Sequence, residues 1–161
     1  MIFKKTNNIL LIFLFLTISV SLVSAFIIQY WLGHQPCRLC IYQRIPYILS
    51  IFLIIELIFF KKNEKTTLLL LSLIFIISAI LAFYHFGIEQ GFFTESIVCE
   101  SASFSESLTK DQLLEQLKQK TISCKDVSFR IVGLSLATIN SIFSLLLSVI
   151  FIRLFLNYGK N

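Results

Sequence analysis

Two cysteines in a Cys-x-x-Cys arrangement, Cys37 and Cys40, are the residues of this chain with the clearest capacity for chemistry. Thiols at this spacing can close a small disulfide, and a helix beginning at or just after Cys40 would direct its positive end at that sulfur. We therefore expect Cys40 to be the more acidic thiol. On such a helix Arg44 lies one turn further along the same face, where its cation can stabilise a thiolate or an electron acceptor. Arg38 adds a second positive charge inside the motif.

Two further cysteines, Cys99 and Cys124, leave three interpretations open. The two pairs could exchange disulfides in series, as in a thiol oxidoreductase. The four thiols could instead hold zinc or an iron–sulfur cluster, but 58 residues lie between Cys40 and Cys99 and no second Cys-x-x-Cys is present, which matches known metal spacings poorly. Both bonds could also be structural, and in the chain-entropy model a bridge that closes a loop as long as that between Cys99 and Cys124 gains about 3 kcal/mol. The tight motif favours the oxidoreductase, and we expect no metal.

The composition is that of a membrane protein: 57% of the 161 residues are apolar and only 14% are charged. Four runs with few or no charges are each close to the roughly 20 residues that cross a bilayer as a helix. We predict an all-α fold, a single four-helix transmembrane domain over 1–161 with spans at about 9–28, 41–60, 67–86 and 131–152. Pro46 leaves two possibilities for the second span, a start near Ile45 or an earlier start with a kink.

Charge predicts the orientation of these spans. The net charge is +5, but no soluble segment has a basic stripe interleaved with aromatic residues. We therefore expect the lipid bilayer as a partner and no nucleic acid. The segments before the first span, between the second and third, and after the fourth hold seven basic residues and one acidic residue, which places both termini in the cytoplasm. Loops 29–40 and 87–130, with all four cysteines, then face an oxidising compartment.

Two segments allow a second interpretation. Residues 1–25 have the features of a cleavable secretory signal, but the apolar run continues to Ile28, and an uncleaved first span is the simpler account. In the second outer loop a capping box at residues 109–112 precedes leucines at helical spacing, which predicts a short amphipathic helix on the membrane surface rather than an ordinary solvent loop. The serines and Asn140 of the last span are expected to be helix-packing groups.

Residues 37–44, Cys-Arg-Leu-Cys-Ile-Tyr-Gln-Arg, resemble the Cys-x-Leu-Cys-x-x-Gln/Glu-Arg signature of the DsbB family, inner-membrane proteins that pass electrons from DsbA to quinone. Residues 84–89 are similar to the family's Tyr-His-x-Gly-Val-Glu stretch beside the quinone. Residues 124–136 resemble its entry to the last span, with Phe129 where the family usually has Trp. Vitamin K epoxide reductase homologues also have four spans and two cysteine pairs, but in the reverse order.

The resemblance implies a relay in the bacterial inner membrane. A reduced DsbA-like periplasmic thioredoxin-fold protein attacks Cys99 of a Cys99–Cys124 bond, and Cys124 then exchanges with Cys37. Cys40 passes electrons to ubiquinone or menaquinone, with Arg44 stabilising the charge. From the sequence alone, His85 is more simply explained as a structural residue at the membrane interface. The resemblance implies that it lies near the quinone. A paralogue devoted to one particular partner is the close alternative.

The expected topology makes a prediction about alkylation. Without prior reduction, few or none of the four cysteines should react, and a reducing agent should expose them to membrane-impermeant maleimide added from the periplasmic face, because all four lie in outer loops. Mass spectrometry of spheroplasts and inverted vesicles measures this. Labelling of native thiols from the cytoplasmic face would contradict both the topology and the function.

Overall fold

The computed structural model of the chain describes residues 7–60, 63–94, 123–125, 129–131 and 133–158. Within these ranges four helical segments are long and apolar enough to cross a membrane, which confirms the predicted all-α, four-span fold. The amphipathic helix expected near residues 109–120 lies outside the described residues. In chain order the helices and strands are α1 (Asn8–Tyr30), α2 (Arg38–Tyr42), α3 (Arg44–Phe59), α4 (Glu64–Glu89), β1 (Arg130–Ile131), β2 (Leu134–Ser135) and α5 (Leu136–Asn157).

The second span begins earlier than expected. Its first helix, α2, starts at Arg38 because the Cys37 sulfur accepts a hydrogen bond from the backbone N–H of Cys40, at 3.3 Å. A side-chain acceptor at this position satisfies one of the backbone donors that a helix start leaves free. The Cys-x-x-Cys motif therefore forms the first turn of the span rather than preceding it.

A break at Gln43 divides this span into α2 and α3. Pro46 has no N–H to donate to the carbonyl of Tyr42, four residues earlier, so a regular helix cannot run through this point. The result is the early start with an interruption, one of the two possibilities that the sequence allowed. Gln43 is buried at the break, where its side chain can reach the neighbouring helices.

The last span begins at Leu136, five residues later than its predicted start at Ile131. The preceding residues form a two-stranded antiparallel ribbon in which Arg130 pairs with Ser135. Gly133 turns the ribbon with φ of +82°, a conformation that favours glycine. Ser135 then caps α5 by accepting a hydrogen bond from the Thr138 N–H. The residues just before this cap are as apolar as the helix itself, which is why hydropathy placed the start of the span too early.

The helices pack around an apolar core, with α4 in extensive contact with α5 and α1 against α3. At its centre the fully buried Phe75 ring stacks on Phe151 at 5.5 Å and meets the Tyr47 ring edge-on at 5.8 Å. Large apolar side chains such as Phe13 and Ile77 point outward and are exposed. Such a surface is stable in contact with lipid, so the protein associates with a bilayer.

Replacing Phe75 by Ala should lower the free energy of unfolding by about 3 kcal/mol, because the cavity left between Tyr47 and Phe151 cannot collapse completely. Ile77→Ala, on the same helix but 62% exposed, is the matched control and should change it by less than about 0.5 kcal/mol. Unfolding of the detergent-solubilised protein in increasing SDS measures both variants. Equal losses would mean that the core does not lie between these rings.

Candidate redox site

The cysteines of the Cys-x-x-Cys motif are free thiols with their sulfurs 2.9 Å apart. Cys37 is buried and Cys40 is partly buried. Since α2 begins at Arg38, the sulfur at its positive end is that of Cys37. The hydrogen bond with the Cys40 thiol holds the pKa of Cys37 below its usual value, burial opposes this, and His85 lowers the pKa further. The positive helix end therefore lies at Cys37 and not at Cys40, where we expected it, because the predicted helix start was three residues too late.

His85 lies on α4 against the buried side of the thiol pair. Its Nε2 is 3.5 Å from the Cys37 sulfur and 3.7 Å from the Glu89 Oε1, and its Nδ1 is 3.0 Å from the Gln43 Nε2. Glu89 also accepts a hydrogen bond from the Ser135 hydroxyl. Sequence reasoning missed Glu89, although its position four residues after His85 puts both side chains on one helix face.

Cys124 is brought to the same place. It is disulfide-bonded and 2% exposed, and it belongs to one buried cluster with Cys37, Leu39 and Ile88. Cys99 lies outside the described residues. The structure thus places a cysteine of the second pair in the same packed cluster as Cys37, although 86 residues separate the two in the sequence.

A cavity of about 320 Å³ opens beside Cys40, between α1, the α2–α3 span and the start of α5. Apolar side chains such as Leu22, Ile28 and Leu136 form much of its wall. The cavity has the size and mostly apolar lining of a small-molecule site. The sulfur, charged and polar side chains that line it include Gln29, His34, Cys40, Gln43, Arg44, Tyr47 and Asn140.

Arg44 lines this cavity together with Cys40, as its spacing in the sequence suggested. Its guanidinium donates a hydrogen bond to the Gln29 Oε1 and lies 5.0 Å from the centroid of the Phe26 ring. Both partners are on α1, so the cation is held across the cavity by a second helix. His85 is not among the lining residues, and its contacts are with Cys37, Glu89 and Gln43.

Polar side chains also connect the cavity wall to His85. Asn140 accepts a hydrogen bond from the Tyr47 hydroxyl and donates one to the Gln43 Oε1 at 2.8 Å, and Gln43 in turn reaches His85. Asn140 was expected only as a packing group. Neither it nor Gln43 carries a sequence signal for this contact, because the two are 97 positions apart in the chain.

Cys37, Cys40 and His85 are also the described residues that could hold a metal ion, with ligand atoms within 4.8 Å of one another. Two thiolates bound to one tetrahedral zinc sit about 3.8 Å apart. The two sulfurs here are closer, at 2.9 Å, so the arrangement fits thiol–disulfide chemistry better than a zinc site.

Comparison with known proteins agrees with this geometry. Residues 7–154 match the family model described as disulfide bond formation protein DsbB. The chain is also 30% identical over 161 residues to an uncharacterized protein of Rickettsia prowazekii (strain Madrid E), an alignment that covers 98% of this chain and 93% of that protein. The match includes residues of all four spans, the thiol pair and the cavity beside it. The chain therefore belongs to the DsbB family of disulfide bond formation proteins, which are thiol oxidoreductases of the membrane.

Proposed function

We propose that this protein, as one four-span unit, oxidises a periplasmic dithiol protein of the DsbA type and passes the electrons to a membrane quinone. One observation carries the proposal: Cys37 packs with Cys124 while Cys40 lines the cavity. The motif thus stands between Cys124 and the cavity. We further propose that the protein lies in the bacterial inner membrane, with both termini in the cytoplasm and the cysteines in the periplasm. The excess of basic residues in the segments assigned to the cytoplasm supports this orientation.

The relay proceeds by thiol–disulfide exchange. A thiolate of the reduced partner attacks Cys99, and the Cys99–Cys124 bond breaks with Cys124 taking the electron pair. Cys124 then attacks Cys37, which breaks the Cys37–Cys40 bond and releases Cys40 as a thiolate at the cavity wall. When the partner has left as a disulfide, Cys99 attacks Cys124 and Cys37 is released in turn. The two pairs have then exchanged two electrons, and the motif is a dithiol.

The cavity residues fit a quinone. A flat ring carrying two carbonyl oxygens needs an apolar wall and a few polar groups that fix its orientation, and the lining has both. Ubiquinone and menaquinone share this chemistry, and either would take up the two electrons and two protons that Cys37 and Cys40 give up when their disulfide closes again. Arg44 supplies the positive charge that stabilises negative charge developing beside Cys40.

A structural role for the cysteines, the alternative from a different class, has less support. A staple needs only a closed bond, and it gives no reason for Cys37 to pack with Cys124 while Cys40 lines the cavity. A protein devoted to one particular partner would use the same relay and differ only in the surface that the partner recognises.

Arg44→Met should slow quinone reduction about tenfold or more and raise the quinone concentration needed for half-maximal rate. The reason is that a charge-assisted hydrogen bond to the developing negative charge is worth about 1.5–3 kcal/mol. Exchange between the Cys99–Cys124 bond and a reduced DsbA-type protein, followed in a quinone-free single turnover, should keep its rate.

Arg38→Met is the matched control for Arg44→Met. It removes the same charge six residues away, from an exposed side chain that does not line the cavity, and both half-reactions should stay near wild type. If Arg44→Met lowered only expression or thermal stability while both half-reactions kept their rates, Arg44 would be an interfacial anchor.

Cys124→Ala tests the serial order. Cys99 would be left as a single thiol that cannot offer a disulfide, while Cys37 and Cys40 can still react at the cavity. Turnover with the DsbA-type protein should collapse, and a small dithiol such as dithiothreitol should still be oxidised at the expense of quinone. Normal turnover of the protein partner would mean that the first pair accepts electrons directly.

A further inference from the structure

Hydrogen bonds run across the bundle from the cavity wall to the thiol pair. The Tyr47 hydroxyl donates to the Asn140 Oδ1, and the Asn140 Nδ2 donates to the Gln43 Oε1 at 2.8 Å. The Gln43 Nε2 lies 3.0 Å from the Nδ1 of His85. Gln43 and His85 are 7% and 2% exposed, so their contact lies inside the bundle.

The direction of these bonds determines which nitrogen of His85 holds the proton. An amide side chain has a donor end and an acceptor end. Because the Gln43 oxygen is occupied by Asn140, its NH₂ group faces His85. That group can only donate, so the Nδ1 must present its lone pair and the ring proton must be on Nε2.

The surroundings of Nε2 agree with this assignment. It faces the Cys37 sulfur at 3.5 Å and the Glu89 Oε1 at 3.7 Å, both of which are acceptors when ionised. The donor side of Gln43 and the acceptor side of Cys37 and Glu89 therefore hold the imidazole between them in one tautomer.

We propose that Gln43, itself held by Asn140, is a positioning residue that keeps the His85 proton on Nε2 and directed at the Cys37 sulfur. The consequence for turnover rests on the proposed function. When Cys99 attacks Cys124 of a Cys37–Cys124 bond, that bond breaks and Cys37 receives the electron pair. An N–H already directed at this sulfur stabilises the leaving thiolate and makes it the better leaving group.

The inference depends on an amide at position 43. A carboxylate there has only acceptor oxygens, so Gln43→Glu should draw a proton onto Nδ1 of His85. Gln43→Leu and Asn140→Leu remove the constraint and should leave a mixture of tautomers. Ser72→Ala is the control: Ser72 is buried on α4, the helix that carries His85, and its described hydrogen bond is to the Leu69 carbonyl, so its loss does not touch Asn140, Gln43 or His85.

Nitrogen-15 NMR of the reduced, quinone-free full chain tests the assignment directly. The chain has two histidines, and His34→Gln identifies the His85 signals in protein labelled at histidine. Long-range couplings should give the Nε2–H tautomer in wild type and Ser72→Ala, a mixture in Gln43→Leu and Asn140→Leu, and a protonated Nδ1 in Gln43→Glu. A protonated Nδ1 in wild type, or an unchanged tautomer in Gln43→Leu, would overturn the inference.

A second readout follows the thiolate. Iodoacetamide labelling of Cys37, read by mass spectrometry of its peptide, should rise with pH about one unit later in Gln43→Leu than in wild type. The rates should converge at high pH if access is unchanged. The titratable groups that face Cys37 are Cys40 of α2, His85 and Glu89 of α4, and Cys124, with Arg130 acting on Glu89. An unshifted profile in Gln43→Leu would also overturn the inference.

Neither readout uses the protein partner or quinone. A chain that turns over with quinone but has the wrong His85 tautomer would refute the positioning role and leave the proposed function standing. A chain with the expected tautomer and no quinone-dependent turnover would refute the function alone.

Discussion

The hydrogen bond from the Cys40 N–H to the Cys37 sulfur is the contact on which the site depends. It starts α2 at Arg38 and brings the two sulfurs to 2.9 Å. With the helix starting there, Cys37 faces the bundle interior and Cys40 the cavity. A start one residue later would rotate each side chain by about 100° around the helix axis. The Cys37 sulfur would then no longer face the interior, and the Cys40 sulfur would no longer face the cavity.

The fold was largely predictable because crossing a bilayer constrains composition strongly. Twenty apolar residues in a row have few other stable outcomes in a chain this poor in charge, and the four spans follow. The ends of the spans were less predictable. Ile131 is as apolar as a helix residue, and only the positive φ at Gly133 and the cap at Ser135 delay α5 to Leu136. Hydropathy measures transfer into lipid and is insensitive to such local backbone choices.

The site was predictable where its residues are neighbours in the sequence. Cys37, Cys40 and Arg44 lie within two helical turns, and their spacing alone suggested that they act together. Gln43 and Asn140 could not be paired in this way, since their contact depends on how α5 packs beside the α2–α3 span. The positive helix end was assigned to Cys40 rather than Cys37 because the predicted helix start was three residues too late, and no hydropathy pattern fixes a helix start.

Polar side chains inside the spans form hydrogen bonds with one another or with the backbone. Among the described residues, no buried side-chain nitrogen or oxygen lacks a hydrogen-bond partner. Gln43 and Asn140 belong to this set and at the same time line the cavity. They connect the cavity wall to His85 and so to Cys37, and any coupling between a ligand in the cavity and the ionisation of Cys37 would be reciprocal. A molecule that bound more tightly when Cys37 is a thiolate would raise the thiolate-to-thiol ratio of Cys37 by the same factor as its gain in affinity.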